Sequence, residues 1–179
     1  APELAAYSDV PVINAGDGYN EHPTQALLDL YTIRREKGRI EGLQIGIVGD
    51  MNTRVMHSLP LGLAQYQAKV YFIAPPQVSM PDEWLDEFQR VGLDYEEVGA
   101  IDDALADLDV IYLMQTTTPS FNVGRTETKE ERPSTPTEFV MDRDKLERAK
   151  SDLIVLHPLP RTDEIPRDFD STSFARYFK

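Results

Sequence analysis

"LQIGIVGD" (residues 43–50) is the stretch on which the fold turns. Leu43, Ile45, Ile47 and Val48 make it apolar without the strict alternation of a strand that has one wet face, and it ends in the polar pair Gly49-Asp50. A short apolar run of this kind is a strand buried on both faces, the form strands take in a parallel sheet covered by helices.

Outward from this strand, apolar runs alternate with helical patterns. Upstream, "VPVINA" (residues 10–15) reads as a strand, and the turn "GDG" leads to a helix in "NEHPTQALLDLYTIRREKG" (residues 20–38). Ala26, Leu27, Leu30, Tyr31 and Ile33 give that helix its apolar stripe and Gly38 its stop. Downstream, "TRVMHSLPLGLAQY" is helical by pattern, although Pro60 is expected to end or kink a turn. "KVYFIAPP" is a strand. "MPDEWLDEFQRVG" is a helix with Pro81 in its first turn, Trp84, Leu85 and Phe88 inward and Gly92 at its end. "DYEEV" is a short strand, "IDDALADLD" a short helix, "DVIYLMQ" a strand, "MDRDKLERAKSD" a helix opening on Asp142, and "LIVLHPLPR" a final strand. The alternation predicts an α/β domain: a doubly wound, mostly parallel sheet with helices on both faces, a Rossmann-like three-layer sandwich. The stretch 116–138 is rich in Thr, Glu and Pro, almost without apolar residues, and reads as a long mobile loop.

Composition narrows the function. A chain of 179 residues suffices for one domain with a sizeable core, and 41% hydrophobic with 27% charged residues marks a folded globular protein rather than a disordered one. A net charge of −13 argues against nucleic acid as a partner, because such surfaces need a basic footprint. A small anion would have to be met by arginines gathered locally. With no cysteine, disulfides, thiolate metal sites and thiol nucleophiles are ruled out. No apolar run approaches the roughly 20 residues of a spanning helix. The first residues, "APELAAYSDV", show neither the basic nor the apolar region of a signal peptide, so no membrane association and a cytoplasmic location are expected.

In doubly wound sheets, ligands bind beyond the carboxyl ends of the strands. The polar clusters "GDGYNEHPTQ", "GDMNTRVMHS", the stretch from Gln115 to Glu138, and "HPLPR" all fall there. His22 and Thr24 either only satisfy the start of a helix that opens with Pro23, or face an oxygen-rich ligand at its positive end, where His22 could donate to an oxygen gaining charge and Gln25 could accept from an N–H. "GDMNTRVMHS" lacks the glycine patterns of dinucleotide or triphosphate sites. Arg54, at a strand-to-helix loop, suits bidentate carboxylate recognition, whereas His57 reads as a cap or a surface pair. The prolines of "HPLPR" make a rigid turn that leaves carbonyls exposed.

Together these runs resemble the aspartate/ornithine carbamoyltransferase family, and within it the aspartate-binding domain of aspartate carbamoyltransferases. The matching segments are "VPVINAGDGYNEHPTQALLDLYTI", the Gly-Asp loop with "RVMHSL", "YFIAP", "DVIYL", and "VLHPLPRTDEI" followed by "ARYF". Ornithine enzymes carry a cysteine within the "HPLP" motif, so its proline form here favours aspartate. The resemblance implies that residues 1–179 form a single aspartate-binding-type domain. It implies carbamoyl transfer from carbamoyl phosphate to the amine of L-aspartate, without metal or organic cofactor. His22 and Gln25 would contact the carbamoyl oxygen and amino group, the Leu159 and Pro160 carbonyls would hold the same group, and Arg161 would brace their loop. Arg54 would bind a carboxylate of aspartate. It further implies a carbamoyl-phosphate-binding domain, a final C-terminal helix and a neighbouring subunit's loop outside these residues, and a homotrimer for the complete enzyme but not for this chain alone. A carbamoyltransferase for another amine, and a non-catalytic domain of the same fold, are the alternatives.

One departure bears on the substrate. Where the family has Thr-Arg-Val-Gln after "DVIYL", this chain has Met114-Gln115-Thr116-Thr117. Losing a guanidinium from a dicarboxylate site costs several kcal/mol unless another cation replaces it. Gln115, Arg125 and Arg132 are the candidates for that contact. In a complete enzyme, Arg125→Ala or Arg132→Ala is therefore expected to raise the aspartate KM strongly at one of the two positions; changes below about threefold for both, the size of a surface substitution, would remove the loop from the acceptor site.

Overall fold

The computed structural model describes residues 1–116 and 134–178. The strands β1 (Gln44–Val48), β2 (Lys69–Ile73), β3 (Asp94–Val98), β4 (Val110–Leu113) and β5 (Ile154–Leu156) form one sheet in the order β3-β2-β1-β4-β5. Every neighbouring pair is parallel. Ile45, Ile47, Val70, Phe72, Val110 and Tyr112 project to one face, into one core. Val48, Tyr71, Ile73, Ile111 and Leu113 project to the other. β4 is buried at every position, as a central strand must be.

The first face is covered by α2 (Pro23–Lys37), α3 (Arg54–Ala64) and α4 (Asp82–Arg90), which contribute Leu30 and Ile33, Met56, Leu59 and Leu63, and Phe88. A short α1 (Pro2–Ala6) lies at the chain start and buries nothing. The second face is covered by shorter pieces. These are the 3-10 turns Ile101–Asp103, Thr137–Phe139 and Arg167–Ser171 and the one-turn α5 (Arg143–Leu146), which seat Ile101, Phe139, Phe169 and Leu146 against the sheet.

Several local expectations are corrected. Residues 10–15 form no strand; Val10 and Ile13 are 69% and 79% exposed, no strand lies alongside among the described residues, and Pro11 removes a ladder donor. The helix expected in "IDDALADLD" shrinks to the turn Ile101–Asp103, and the residues after it continue as tight turns, the Asp107 and Leu108 N–H groups donating to the Ala104 and Leu105 carbonyls three residues back. The helix over residues 141–152 shortens to α5, capped as expected by Asp142, which accepts from the Lys145 N–H. Pro60 ends nothing: it is buried inside α3, where Leu59 and Leu63 hold the helix on the core despite the missing donor. Pro81 caps α4 rather than sitting within its first turn. The buried stripe of α2 is Ala26, Asp29, Leu30 and Ile33, while Leu27 and Tyr31 point outward. Of the stretch 116–138 read as a mobile loop, residues 117–133 lie outside the described residues, but both ends are fixed. Thr116 is buried, and Thr135 is held by its N–H and hydroxyl to Asp163 at 2.9 and 2.7 Å.

Gly49 sets how closely the ends of β1 and β4 approach. Its φ is +136°, and a Cβ built on it would lie 2.6 Å from the Met114 carbonyl oxygen. Gly92 also has a positive φ, +77°, but opens onto empty space. Gly92→Ala should thus cost only the backbone strain, about 1–2 kcal/mol, and Gly49→Ala measurably more, because the two strand ends must also separate. Urea unfolding of both variants checks this; equal losses would show that the β1–β4 approach is not tight.

Candidate active site

The chain builds β1, β2 and β3 outward on one side, then returns to lay β4 on the other side of β1. At such a reversal the loops leaving the two central strands diverge and open a crevice at their carboxyl ends. A cleft of about 360 Å³ occupies that position. It is lined by His22, the cap of α2, and Gln25 in its first turn, by Thr53, the cap of α3, and Arg54, its first residue, by Met114 and Gln115 beyond β4, and by residues 157–160 beyond β5. Of the residues singled out from sequence, His22, Gln25, Arg54, Gln115, Leu159 and Pro160 meet here; Thr24 and Arg161 do not line the cleft, and Arg125 and Arg132 lie outside the described residues. A second, more open depression between α3 and α4, walled by His57 and Trp84, contains none of them.

His22 is the N-cap of α2. Its Nδ1 accepts the Gln25 N–H at 3.3 Å and lies 3.3 Å from the Thr24 hydroxyl, and its own N–H donates to Ser58 Oγ at 2.8 Å. An Nδ1 that accepts carries no proton, so a neutral ring bears its hydrogen on Nε2. Burial first, and the nearby Arg54 charge second, lower the His22 pKa and favour that neutral ring. Capping and function therefore do not compete: Nδ1 closes the helix while Nε2–H remains as a donor. Gln25, one turn on, donates from Nε2 to Asp29 Oδ1 at 3.0 Å. Burial pushes the Asp29 carboxyl up to about 7, against the lowering effect of Gln25 and Tyr112.

Arg54 opens α3 and lies across Gly16, where an added Cβ would sit 2.8 Å from the guanidinium carbon. With φ at +111°, Gly16 supplies both the turn and the flat surface under the arginine. The prolyl turn is fixed from inside. The buried His157 faces Glu164 Oε1 through Nε2 at 2.7 Å and accepts the Leu159 N–H on Nδ1 at 2.8 Å, so its proton also sits on Nε2. Glu164 further accepts from the Thr162 N–H and hydroxyl. Leu159 has φ +58° and precedes a cis prolyl bond. Gln115 donates Nε2 to the Pro160 carbonyl at 2.9 Å, tying the end of β4 to this turn. One of the two N–H groups of the Gln115 amide is thereby committed to the turn. Arg161 points away, its two terminal nitrogens on the Asp170 carboxylate and one of them 3.3 Å from the Tyr177 hydroxyl.

His57 is not the surface residue expected from sequence. It is 3% exposed, stacks on Trp84 at 4.2 Å, and sets Nδ1 and Nε2 against the carbonyls of Asn20 and Met51 at 2.8 and 3.0 Å. It thereby joins the two loops that carry His22 and Arg54. The burial of Asp29, the seat that Gly16 gives Arg54 and the His157–Glu164 pair are not among the readings from sequence. Asp29 had a visible signal, an acid inside an apolar stripe four residues after Gln25; the contacts of Gly16 and Glu164 form only on folding.

A ring donor, a side-chain amide, exposed backbone carbonyls and a guanidinium in one cleft suit a planar amide-like group beside a carboxylate. Residues 41–179 match the model of the "Aspartate/ornithine carbamoyltransferase, Asp/Orn binding domain", and residues 1–35 that of the "carbamoyl-P binding domain" of the same family. The chain belongs to the aspartate/ornithine carbamoyltransferase family. It is 46% identical to the aspartate carbamoyltransferase catalytic subunit of Methanopyrus kandleri over 99% of the chain and 57% of that relative. It is 42% identical to the corresponding subunit of Aliivibrio fischeri over 94% of the chain and 53% of the relative. The chain thus spans a little over half the length of these curated relatives. Aspartate transcarbamoylase from Trypanosoma cruzi, solved with phosphate, superposes with a TM-score of 0.83 at 31% identity over 99% of this chain and 56% of that one. The same enzyme solved with carbamoyl phosphate and aspartate gives 0.81 at 31% identity, over 99% of this chain and 55% of that one. The two family models meet between residues 35 and 41, just as α2 ends, so α2 carries residues matched to one domain model while packing on strands and helices matched to the other.

The Glu164 carboxyl yields a pH prediction. Burial raises its pKa, but the hydrogen bonds from His157 and Thr162 outweigh that and hold it at about 2, against an ordinary 4.5. A carboxyl lowered on folding adds stability that is present above its unfolded pKa and lost as pH falls through the folded one. Acid titration of the urea midpoint is expected to fall steeply from pH 4.5 towards 2 in the parent and less steeply in Glu164→Gln. Parallel curves would assign the acid sensitivity to other carboxylates.

Proposed function

We propose that this chain forms the acceptor-binding half, together with part of the carbamoyl site, of an aspartate carbamoyltransferase, and that it works with the carbamoyl-phosphate-binding domain of the same enzyme. The observation that carries the reading is the convergence of His22, Gln25, Arg54 and the Leu159 and Pro160 turn at the switch-point cleft of a chain that belongs to this family. The substrates follow from the family's two domain descriptions and from relatives solved with carbamoyl phosphate and aspartate.

In this reading the amine of L-aspartate attacks the carbamoyl carbon. A C–N bond forms, the bond from that carbon to the phosphate oxygen breaks, and phosphate leaves with the electron pair and takes up the proton that the amine gives up. The carbamoyl oxygen gains negative charge on the way to the tetrahedral intermediate. The Nε2–H of a neutral His22 stabilises it there without first having to lose a proton. The Gln25 carbonyl and the Leu159 and Pro160 carbonyls accept from the carbamoyl amino group and fix its plane, a positioning effect worth several kcal/mol. Arg54 pairs with a carboxylate of aspartate, held flat by Gly16, and Arg161 braces the prolyl turn through Asp170. The phosphate is met by the partner domain. The complete enzyme assembles as a homotrimer through surfaces beyond these residues and works in the cytoplasm. Among the described residues, no helix is long and apolar enough to cross a membrane.

The test is carbamoylaspartate formation by the chain alone and after assembly with a carbamoyl-phosphate-binding domain from a relative. The isolated chain is expected to be inactive and the assembly active; rapid turnover by the chain alone, or none by the assembly, overturns the composite site. In the assembly, His22→Ala should lower kcat by about 10²–10³-fold, the range for one oxyanion donor, with little change in KM. An unchanged kcat would leave His22 as a helix cap only.

A further inference from the structure

Asp29 is an acid on the inner, buried side of a helix whose other buried residues are Ala26, Leu30 and Ile33. It is 6% exposed, one helical turn behind Gln25, and accepts that residue's amide nitrogen on Oδ1. Its second oxygen, Oδ2, is buried without a hydrogen-bond partner, and the fully buried Tyr112 hydroxyl beside it stands outside regular hydrogen-bond geometry. A buried carboxyl of this kind costs stability and packs no better than leucine would. Its placement makes sense through what it does to Gln25.

A glutamine amide is a donor at one end and an acceptor at the other, and the cleft alone does not choose between them. We propose that Asp29 is a positioning residue that fixes the polarity of the Gln25 amide. As a carboxylate it can only accept, so it draws the NH2 group inward and turns the Gln25 carbonyl oxygen towards the cleft. As a protonated acid it can donate, so the amide can turn over and present NH2 instead. The ionised form therefore shapes the cleft for a ligand that brings an N–H, and the neutral form for one that brings an oxygen. The groups facing this carboxyl are neutral: the Gln25 amide from α2, and from β4 the Tyr112 hydroxyl, whose own pKa burial pushes well above its usual range. With the Asp29 carboxyl raised to about 7, both forms are populated near neutral pH.

This inference rests on the proposed carbamoyl-binding role of Gln25 for its consequence, but not for its first test. In the 15N-labelled chain, with the Gln25 side-chain amide identified by its loss in Gln25→Ala, that resonance should shift with pH around a midpoint near 7 and be flat in Asp29→Asn. A parent resonance that does not move from mildly acidic to mildly alkaline pH overturns the proposal, even if Asp29→Asn fails to fold. In the assembled enzyme, Asp29→Asn should lower kcat/KM for carbamoyl phosphate about tenfold, the size of one hydrogen bond to a charged group. It should have no further effect in a Gln25→Ala background, since two residues acting through one contact are not additive. Losses that multiply would show that Asp29 acts on the fold and not on Gln25, which also overturns the proposal. An assembly that makes no carbamoylaspartate at all would sink the functional reading alone, while the resonance titration still decides the role of Asp29.

Discussion

The arrangement depends on how closely the ends of β1 and β4 can lie. Gly49 follows β1 without a side chain, its N–H bonded to the Ile73 carbonyl, and the Asp50 N–H reaches the Gln115 carbonyl at 2.9 Å. Three central strands are thus locked together at one end before any loop leaves them. Because the chain reverses direction across the sheet at this point, those loops then part, and the cleft is the space that opens between them. A residue with a Cβ at position 49 would widen the sheet where the site needs it narrow. The requirement is one of volume and backbone angle rather than of chemistry.

On that base the electrostatics are local. A protein with an excess of negative charge has to exclude its own carboxylates from an anion's path, and here the acids near the cleft are occupied. Asp170 holds Arg161, Glu164 holds His157 and Thr162, and Asp29 is withdrawn into the core behind Gln25. What faces the cleft is Arg54, the His22 ring and the N-terminal end of α2, with the helix's own partial charge behind them. Arg34, Arg35 and Lys37 sit at its other end, where they complement the same dipole.

The fold was largely legible because its strands are buried on both faces, and runs such as residues 43–48 and 109–113 have few other uses. Residues 10–15 look equally strand-like, but no strand lies beside them among the described residues, and a period cannot reveal a missing neighbour. The stripe of α2 was misread for a related reason. Leu27 and Tyr31 are apolar but exposed, Asp29 is charged but buried, and hydropathy alone assigns the reverse. The cleft residues His22, Gln25, Arg54 and the prolyl turn could be found because polar groups at the carboxyl ends of parallel strands converge by topology. Their supports could not. The seat of Arg54 on Gly16, the bridge from Gln115 to Pro160 and the link from His57 to two loop carbonyls are contacts between segments far apart in sequence, and no spacing rule reports them.

The double use of one imidazole has an evolutionary side. One nitrogen of His22 closes a helix, and the other faces the cleft. Asparagine or serine would cap α2 as well or better, so folding alone would not preserve a histidine there. A cleft donor alone would not require the ring to sit at this exact backbone position. Selection on either trait reaches the other through the same ring. In the proposed reading, a lineage that drifted away from carbamoyl chemistry would exchange this histidine for a plain cap while keeping the helix, so the residue at this position would record whether the cleft still used its donor.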